Sequence, residues 1–395
     1  MKPIVKVATL LSLSAATLLA SGYRIPEQSL NSTALSAAYV AGANGADASY
    51  YNPANMALMG GGAEIETAFT YINLPKVQFD GASDADSLEE HFFMPTMHYV
   101  SPMMGNWRFG LSIVAPGGLS KRWDEAIPKA SAEEFSLKVI EVNPTASYKF
   151  SDEFAIGFGL RGVYSEGVVK STAAASRDLT GDSIDFGYNL AMTYKPAKDM
   201  TLAATYRSKI DLTVEGNADL YSGAVKVFDN IGASVTVPLP ASLALSASYV
   251  IDKTTLEFVF ERTYWSAYDK LDFNYDRSIG VLAPSFDAPK DKLWKDVNAY
   301  RIGVTHQYSD ALKLMAAFAI DKNPAPDSTL SYELPDSDAK LYSVGFEYKL
   351  DKQMSIGMAY LFDDKESRTV NNTGAVGQFT DSAAHLVTAS LKYKF

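Results

Sequence analysis

Residues 183–195 read SIDFGYNLAMTYK, and apolar and polar side chains alternate through the whole stretch. Ile184, Phe186 and Tyr188 fall on one side of an extended chain, and Asp185 and Asn189 fall on the other. A period of two is typical of a β-strand, because successive side chains point to opposite faces. The stretch therefore predicts a strand with one continuous apolar face.

Fourteen runs of this kind follow one another along the chain, which predicts an all-β transmembrane barrel of fourteen antiparallel strands. An even number of strands with short turns at one end and long loops at the other is typical of outer-membrane barrels. Long polar loops are expected near residues 75–90, 117–135, 171–182, 217–239, 269–297, 323–338 and 365–382. The runs themselves lie near residues 63–74, 91–102, 106–116, 136–150, 154–170, 183–195, 198–216, 240–251, 254–268, 298–309, 311–322, 339–350, 353–364 and 383–395.

Tyr-Lys pairs mark one end of the predicted strands. A tyrosine ring suits the membrane–water interface, and a lysine beside it reaches into water. The short polar turns that follow the internal pairs indicate the periplasmic end of the barrel. The pairs are Tyr148-Lys149, Tyr194-Lys195, Tyr348-Lys349 and Tyr393-Lys394.

The first twenty residues have the pattern of a signal peptide. Lys2 and Lys6 precede an apolar stretch, and Ala20 stands before Ser21-Gly22 as a small-residue cleavage point. We therefore expect an exported outer-membrane protein with a signal peptide at 1–20, a hatch or plug with short helices at 21–62, and the barrel at 63–395. The alternative for residues 21–62 is a disordered periplasmic leader.

Composition and charge narrow the function. The 395 residues include no cysteine and carry a net charge of −11, which argues against thiolate metal sites and nucleic-acid partners. The four histidines lie in no recognisable catalytic motif. We therefore expect neither an enzyme nor a metal or other cofactor. An ordinary open porin, which passes small polar solutes, remains an alternative.

Several ordered blocks resemble the FadL family of outer-membrane channels for long-chain fatty acids and other hydrophobic compounds. The resemblance covers essentially the whole mature chain and implies a fourteen-stranded barrel with an N-terminal hatch. The blocks are Ser21-Gly22-Tyr23, Asn52-Pro53-Ala54 and residues 95–102, 204–208, 263–266, 299–303 and 319–326.

The resemblance also implies site residues. In this family substrate is captured among outer loops, enters an internal pocket near the N-terminus, and leaves sideways where the third strand kinks. The kink falls on Pro116, Gly117 and Gly118, and the hatch segment Asn52-Pro53-Ala54 is expected to pack against it. Tyr23, Ile25, Lys170, Lys290 and Lys292 are the implied substrate contacts, although the family's arginine falls on Ser171.

The implied cargo is a long-chain fatty acid, with neutral aromatic hydrocarbons as the alternative. For each basic residue the alternative is a solvated loop lysine. For Tyr23 it is an ordinary anchor residue, and at Pro116 it is a strand that simply turns into its loop. The expected partners are the hydrophobic substrate, outer-membrane lipid and lipopolysaccharide, and we expect a monomer. Loop carboxylates near residues 80–90 form either a lipopolysaccharide contact through cations or merely a solvated face.

Overall fold

The computed structural model describes residues 22–395, so the predicted signal peptide at 1–20 lies outside the described residues. Fourteen antiparallel strands form a closed barrel, which confirms the predicted fold and strand count. The barrel closes where the first strand pairs with the last, from Glu64 opposite Lys394 to Asn73 opposite His385. Within residues 22–395, no helix is long and apolar enough to cross a membrane.

Four of the strands are interrupted: three of them resume in the barrel wall, and the fourth resumes for only three residues. The strands are β1 (Glu64–Leu74), β2 (Glu90–Val100), β3 (Trp107–Val114 and Gly118–Arg122), β4 (Glu134–Lys149), β5 (Phe154–Ser171), β6 (Ala175–Ala197), β7 (Met200–Arg207 and Ile210–Ser222), β8 (Val225–Leu239 and Ser242–Ile251), β9 (Thr254–Thr263 and Phe273–Tyr275), β10 (Val297–Gln307), β11 (Leu312–Asp321), β12 (Ala339–Lys349), β13 (Met354–Lys365) and β14 (Ala383–Lys394).

Short helices and short strands lie in the lumen and in the outer loops. The helices are α1 (Leu30–Ala34), α2 (Ala48–Tyr51), α3 (Pro53–Met56), α4 (Ala126–Ala132) and α5 (Ala283–Phe286), with 3₁₀ turns at Trp265–Ala267 and Gly280–Leu282. A four-stranded outer sheet contains Gln78–Gly81, Ala85–Asp86, Arg368–Asn371 and Val376–Thr380, and Lys270–Leu271 pairs with Lys290–Asp291.

The alternation in β6 has the predicted orientation. Ile184 and Phe186 are exposed on the outer face, at 68% and 76% of their maximum, whereas Asn189 and Thr193 are buried on the inner face. Apolar side chains thus face lipid, and polar side chains face the lumen.

The segment before β1 lies inside the barrel and is held by charged wall residues. The Glu257 carboxylate accepts hydrogen bonds from the backbone N–H groups of Val40, Ala41 and Gly42. The Arg108 guanidinium donates to the carbonyl oxygens of Met56, Met59 and Gly62. Charge-assisted bonds of this kind fix backbone groups that would otherwise be buried without partners.

Two of the predicted outer loops are strands instead. Residues 217–239 form most of a long β7–β8 hairpin, and β6 begins at Ala175 inside the predicted 171–182 loop. In this hairpin the apolar side chains Val235, Val237 and Leu239 face inward, and Thr236 faces outward. The hairpin therefore lacks the lipid-facing apolar pattern by which the other strands were recognised.

Candidate functional site

The wall of the barrel is open between β2 and β3. The two strands pair only from Met97 opposite Ile113 to Val100 opposite Gly110. The outer piece of β3 pairs with β4 alone. Residues 90–96 of β2 consequently pair with β1 alone and have no ladder partner on the side that faces β3. Beyond them, in the outer loops, an isolated bridge joins Ser87 to Trp123. We call this opening the β2–β3 gap.

Pro116 and two glycines lie at the break in β3, as the sequence indicated. Proline supplies no N–H for a ladder, so it is expected at an interruption. At Gly117 an added Cβ would lie 3.1 Å from both the Tyr23 carbonyl oxygen and Leu239 Cδ1. A glycine here lets another backbone approach the break closely.

The N-terminal arm, defined as Gly22–Gln28, covers the gap from inside. The Ile25 N–H donates to the Pro116 carbonyl (3.0 Å), and the Gly118 N–H donates to the Tyr23 carbonyl (2.8 Å). The Gln28 side-chain amide bonds both the N–H and the carbonyl of Ala115, each at 2.8 Å. The arm thus satisfies the backbone groups that the interruption of β3 leaves free.

An aromatic box surrounds the start of this arm. The Tyr23 ring centroid lies 4.6 Å from Trp265, 6.0 Å from Tyr268 and 5.8 Å from Trp294. The Tyr23 hydroxyl donates to the Pro238 carbonyl, and burial raises the pKa of this phenol, so it stays neutral. The box, Tyr23 included, forms part of a large apolar cluster under the outer loops.

Ile25 packs on the opposite side of the gap. It is fully buried with Ile72, Met94 and Ala115, in a separate apolar cluster against β1 and β2. Tyr23 and Ile25 therefore bind the arm to both sides of the opening.

The Glu27 side chain of the arm is buried, and neither of its carboxylate oxygens has a hydrogen-bond partner among the described residues. Burial raises the pKa of Glu27 to about 7, although the charge of Arg301 acts in the opposite direction. Arg301 itself is paired with Asp321 at 3.0 Å.

Asn52, Pro53 and Ala54 lie elsewhere than the resemblance implied. Pro53 and Ala54 press against Gly157 of β5, where an added Cβ would lie 2.5 Å from the Ala54 nitrogen. The Asn52 amide donates to Thr193 of β6 at 2.9 Å. Because Gly157 offers space for close backbone packing, the segment lies against β5 and β6, away from the β2–β3 gap.

The three predicted lysines do not form one group. Lys170 has the same alternation as Phe158 and Leu160, so it lies on the outer face of β5, 3.4 Å from Glu134. Its placement does not fit contact with a substrate in the lumen. Lys290 and Lys292 instead line an outer cavity of about 730 Å³.

Lys292 is paired within that cavity. Its ammonium lies 2.9 Å from the buried Glu333 carboxylate. Burial opposes ionisation of Glu333, but Lys292 and Lys290 hold its pKa at about 2. The charge of Lys292 is therefore already matched, whereas Lys290 is exposed to the cavity.

Arg177 is a candidate that the sequence analysis missed. It lies on the inner face of β6 opposite Ser171, and its guanidinium is 4.0 Å from the Phe273 ring centroid and 5.3 Å from that of Phe286. It is buried, and no carboxylate of residues 22–395 forms an ion pair with it. Residues 177 and 189 lie an even number of positions apart, so a strand through both places Arg177 on the inner face with Asn189. The sequence instead predicted a loop at residues 171–182, which hid this position.

A closed fourteen-strand barrel with a segment inside it and a covered opening in its wall defines an outer-membrane transport channel. The family model described as "Outer membrane protein transport protein (OMPP1/FadL/TodX)" matches residues 11–395. The chain therefore belongs to this family of outer-membrane transport proteins.

Individual relatives are distant but cover most of the chain. A protein named long-chain fatty acid transport protein from Escherichia coli K12 is 23% identical over an alignment of 380 residues, which covers 81% of this chain and 82% of that one. Among solved structures, a Pseudomonas aeruginosa FadL homologue has a TM-score of 0.84 at 18% identity, covering 95% of this chain and 100% of the other. The Pseudomonas putida toluene transporter TodX has a TM-score of 0.75 at 17% identity, covering 96% and 100%.

Proposed function

We propose that the protein takes up long-chain fatty acids across the outer membrane by diffusion through its internal apolar pocket. The observation that carries this choice of cargo is Arg177. A buried guanidinium without an anionic partner is costly, and a carboxylate is the partner that it binds best. A neutral hydrocarbon requires no such group.

Capture begins at the outer cavity that contains Lys290 and Lys292. The exposed Lys290 attracts the carboxylate, while the Lys292–Glu333 pair shapes the cavity wall. From there the acyl chain moves to the apolar cluster around Tyr23, and its carboxylate pairs with Arg177 between Phe273 and Phe286.

Movement of the N-terminal arm then opens the sideways exit. The acyl chain and the Tyr23 side chain compete for the same aromatic box, so binding displaces the arm from the β2–β3 gap. Each CH₂ group that moves into lipid rather than water gains about 0.8 kcal/mol, which favours the lateral route over release into the periplasm. In this scheme Pro116, Gly117 and Gly118 form the lateral exit, and Asn52, Pro53 and Ala54 anchor the hatch to the wall.

Neutral aromatic hydrocarbons are the second candidate cargo. The box of Tyr23, Trp265, Tyr268 and Trp294 offers edges and faces that suit a small aromatic ring. The likeness to TodX, whose title names it a toluene transporter, is compatible with this cargo. The same pocket and exit would serve both compounds, and only the acid requires Arg177.

We also propose that one chain acts alone, because the arm, pocket and exit all belong to the same barrel. Lipopolysaccharide remains a proposed partner of the outer carboxylates Asp80, Asp84, Asp86 and Glu89. Glu90 differs from them, because it is buried and bonds to Ser120 and Arg122.

Growth tests separate the candidate cargoes. Cells that lack every other family member are complemented with this protein and supplied with a fatty acid or an aromatic hydrocarbon as carbon source. Growth on the long-chain acid supports the proposal. Restored growth on the hydrocarbon alone favours the second candidate, and passage of small sugars at similar rates would identify a porin.

A further inference from the structure

A second interruption of the wall lies between β6 and β7. Below it, pairing ends at Arg207 opposite Asn189, and above it pairing resumes at Glu215 opposite Asp182. A single backbone bond, from the Ser208 N–H to the Tyr188 carbonyl, extends the lower ladder. Residues 183–187 and 209–214 therefore face each other without ladder pairing, and we call this region the β6–β7 window.

The strand β7 runs inward at this window. Up to Tyr206 its even-numbered side chains face lipid, whereas Ile210, Leu212 and Val214 are buried inside the barrel. The reversal occurs at Ser208-Lys209, where β7 is interrupted. One extra residue between paired segments bends a strand and re-aims its side chains.

Glycines on the neighbouring strands make room for the inward course. A Cβ added at Gly187 would lie 2.7 Å from Ile210 Cδ1, and one at Gly181 would lie 2.9 Å from Val214 Cγ1. A Cβ at Gly167 would lie 3.4 Å from Val214. The side chains of β7 therefore lie over the inner surface of β5 and β6.

The two sides of the window have different chemistry. On the outside, Ile184 and Phe186 are highly exposed beside the Lys209–Asp211 ion pair, whose charged atoms are 2.8 Å apart. On the inside, Ile210 and Leu212 belong to the same apolar cluster as Tyr23. One layer of side chains thus separates the outer surface from the proposed substrate pocket.

Unpaired strand edges are unfavourable in lipid. Backbone polar groups at membrane depth are tolerated where protein, water or another polar group satisfies them. The exposed side chains of Lys209 and Asp211 supply polar groups at the outer end of the apolar face of β6. The window therefore combines an apolar passage with a charged rim, which suits a molecule that has one acyl chain and one anionic head.

We propose that the β6–β7 window is an entrance through which a single-chain fatty acid passes from the outer leaflet into the pocket. The acyl chain slides past Phe186 toward Leu212, and the Lys209 ammonium exchanges the Asp211 carboxylate for that of the fatty acid. This inference rests on the proposed function and supplies a loading route for it, distinct from the exit at the β2–β3 gap. Loading from the leaflet keeps the acyl chain out of water.

Cysteine labelling tests access through the window, because the chain has no cysteine of its own. The probe is a phospholipid with a maleimide at the end of one acyl chain, which is too bulky to enter the lumen. We compare Leu212→Cys with Val163→Cys, since both parent side chains are fully buried and Val163 lies behind intact ladders. Phe158→Cys, which faces lipid, is the positive control.

The expected result is labelling of Leu212→Cys at least about tenfold faster than Val163→Cys, because thiol modification follows access. Equal rates for these two variants would overturn the proposal, provided that Phe158→Cys reacts.

A reversible crosslink tests the role of the window in uptake. Phe186→Cys with Asp211→Cys joins residues that would face each other if the upper register continued. Phe158→Cys with Leu190→Cys, an adjacent outward pair in the intact β5–β6 ladder, is the matched control. We expect oxidation to lower the initial rate of fatty-acid uptake in the first variant only, because the route through the outer cavity stays open, and reduction to restore the full rate.

Full uptake through the oxidised Phe186–Asp211 variant would refute the entrance while leaving the proposed function intact. If the unmodified protein imports no fatty acid at all, the proposed function itself fails. The two failures are thus distinguishable.

Discussion

Replacing Tyr23 with alanine tests whether docking of the N-terminal arm controls passage. The side chain is fully buried, contacts three aromatic rings and donates to the Pro238 carbonyl. Truncating a large buried aromatic side chain costs about 3–5 kcal/mol. Because the arm is bound to β3 by few backbone bonds, we expect this cost to fall on docking and to leave the barrel folded.

The expected change in docking is large. A loss of about 3–5 kcal/mol lowers the ratio of docked to free arm between about 10²- and 10⁴-fold. Tyr23→Phe is the matched control, since it removes only the hydroxyl bond, worth about 1 kcal/mol. Amide hydrogen exchange at Ile25 and Gly118 reports docking directly, because both N–H groups bond across the arm and β3.

We expect both amides to lose most of their protection in Tyr23→Ala and little of it in Tyr23→Phe. Fatty-acid uptake should show a lowered KM in the alanine variant, because the Tyr23 side chain no longer competes with the acyl chain for the aromatic box. The reasoning is refuted if Tyr23→Ala keeps full amide protection and wild-type uptake kinetics while its barrel spectrum is unchanged.

Three further predictions concern the gap, the buried acid and the pore. Gly117→Trp should block transport but not binding, because a Cβ at this position already meets the Tyr23 carbonyl at 3.1 Å; full transport contradicts the lateral exit. Because the pKa of Glu27 is raised from 4.5 to about 7, the docked arm holds a proton that a free arm loses, so docking should weaken as pH rises between these values. Exchange at Ile25 should follow pH in this way in the wild type but not in Glu27→Gln, and equal pH profiles would disprove the assignment. In planar bilayers the protein should conduct ions very weakly, since the segment before β1 fills the lumen, and a large steady conductance would indicate a porin.

The strands were predictable because a membrane imposes one simple pattern. Every strand that crosses lipid must present apolar side chains outward, as Ile184 and Phe186 do in β6. The β7–β8 hairpin extends beyond this constraint, and Val235 and Val237 turn inward instead. Residues 217–239 therefore lack lipid-facing alternation, and their sequence predicted a loop.

The site was only partly predictable. Pro116 and Gly117 interrupt a strand pattern, so the break in β3 could be placed from sequence. The family resemblance implied Lys170 as a substrate contact, whereas its alternation with Leu160 places it on the outer surface of β5. The contact of Ala54 with Gly157 joins segments about a hundred residues apart along the chain, and no local pattern specifies such packing.

Arg177 provides the most direct test of the proposed cargo. Initial uptake of a radiolabelled long-chain fatty acid and of labelled toluene is measured in cells that carry the wild type, Arg177→Gln or Lys170→Gln as sole family member. Lys170 is the matched control, because it is a basic residue on the outer face of the adjacent strand. We predict that Arg177→Gln loses most fatty-acid uptake while toluene entry is unchanged, and that Lys170→Gln resembles the wild type. Equal uptake of the acid by Arg177→Gln and the wild type would contradict recognition of a carboxylate in this pocket.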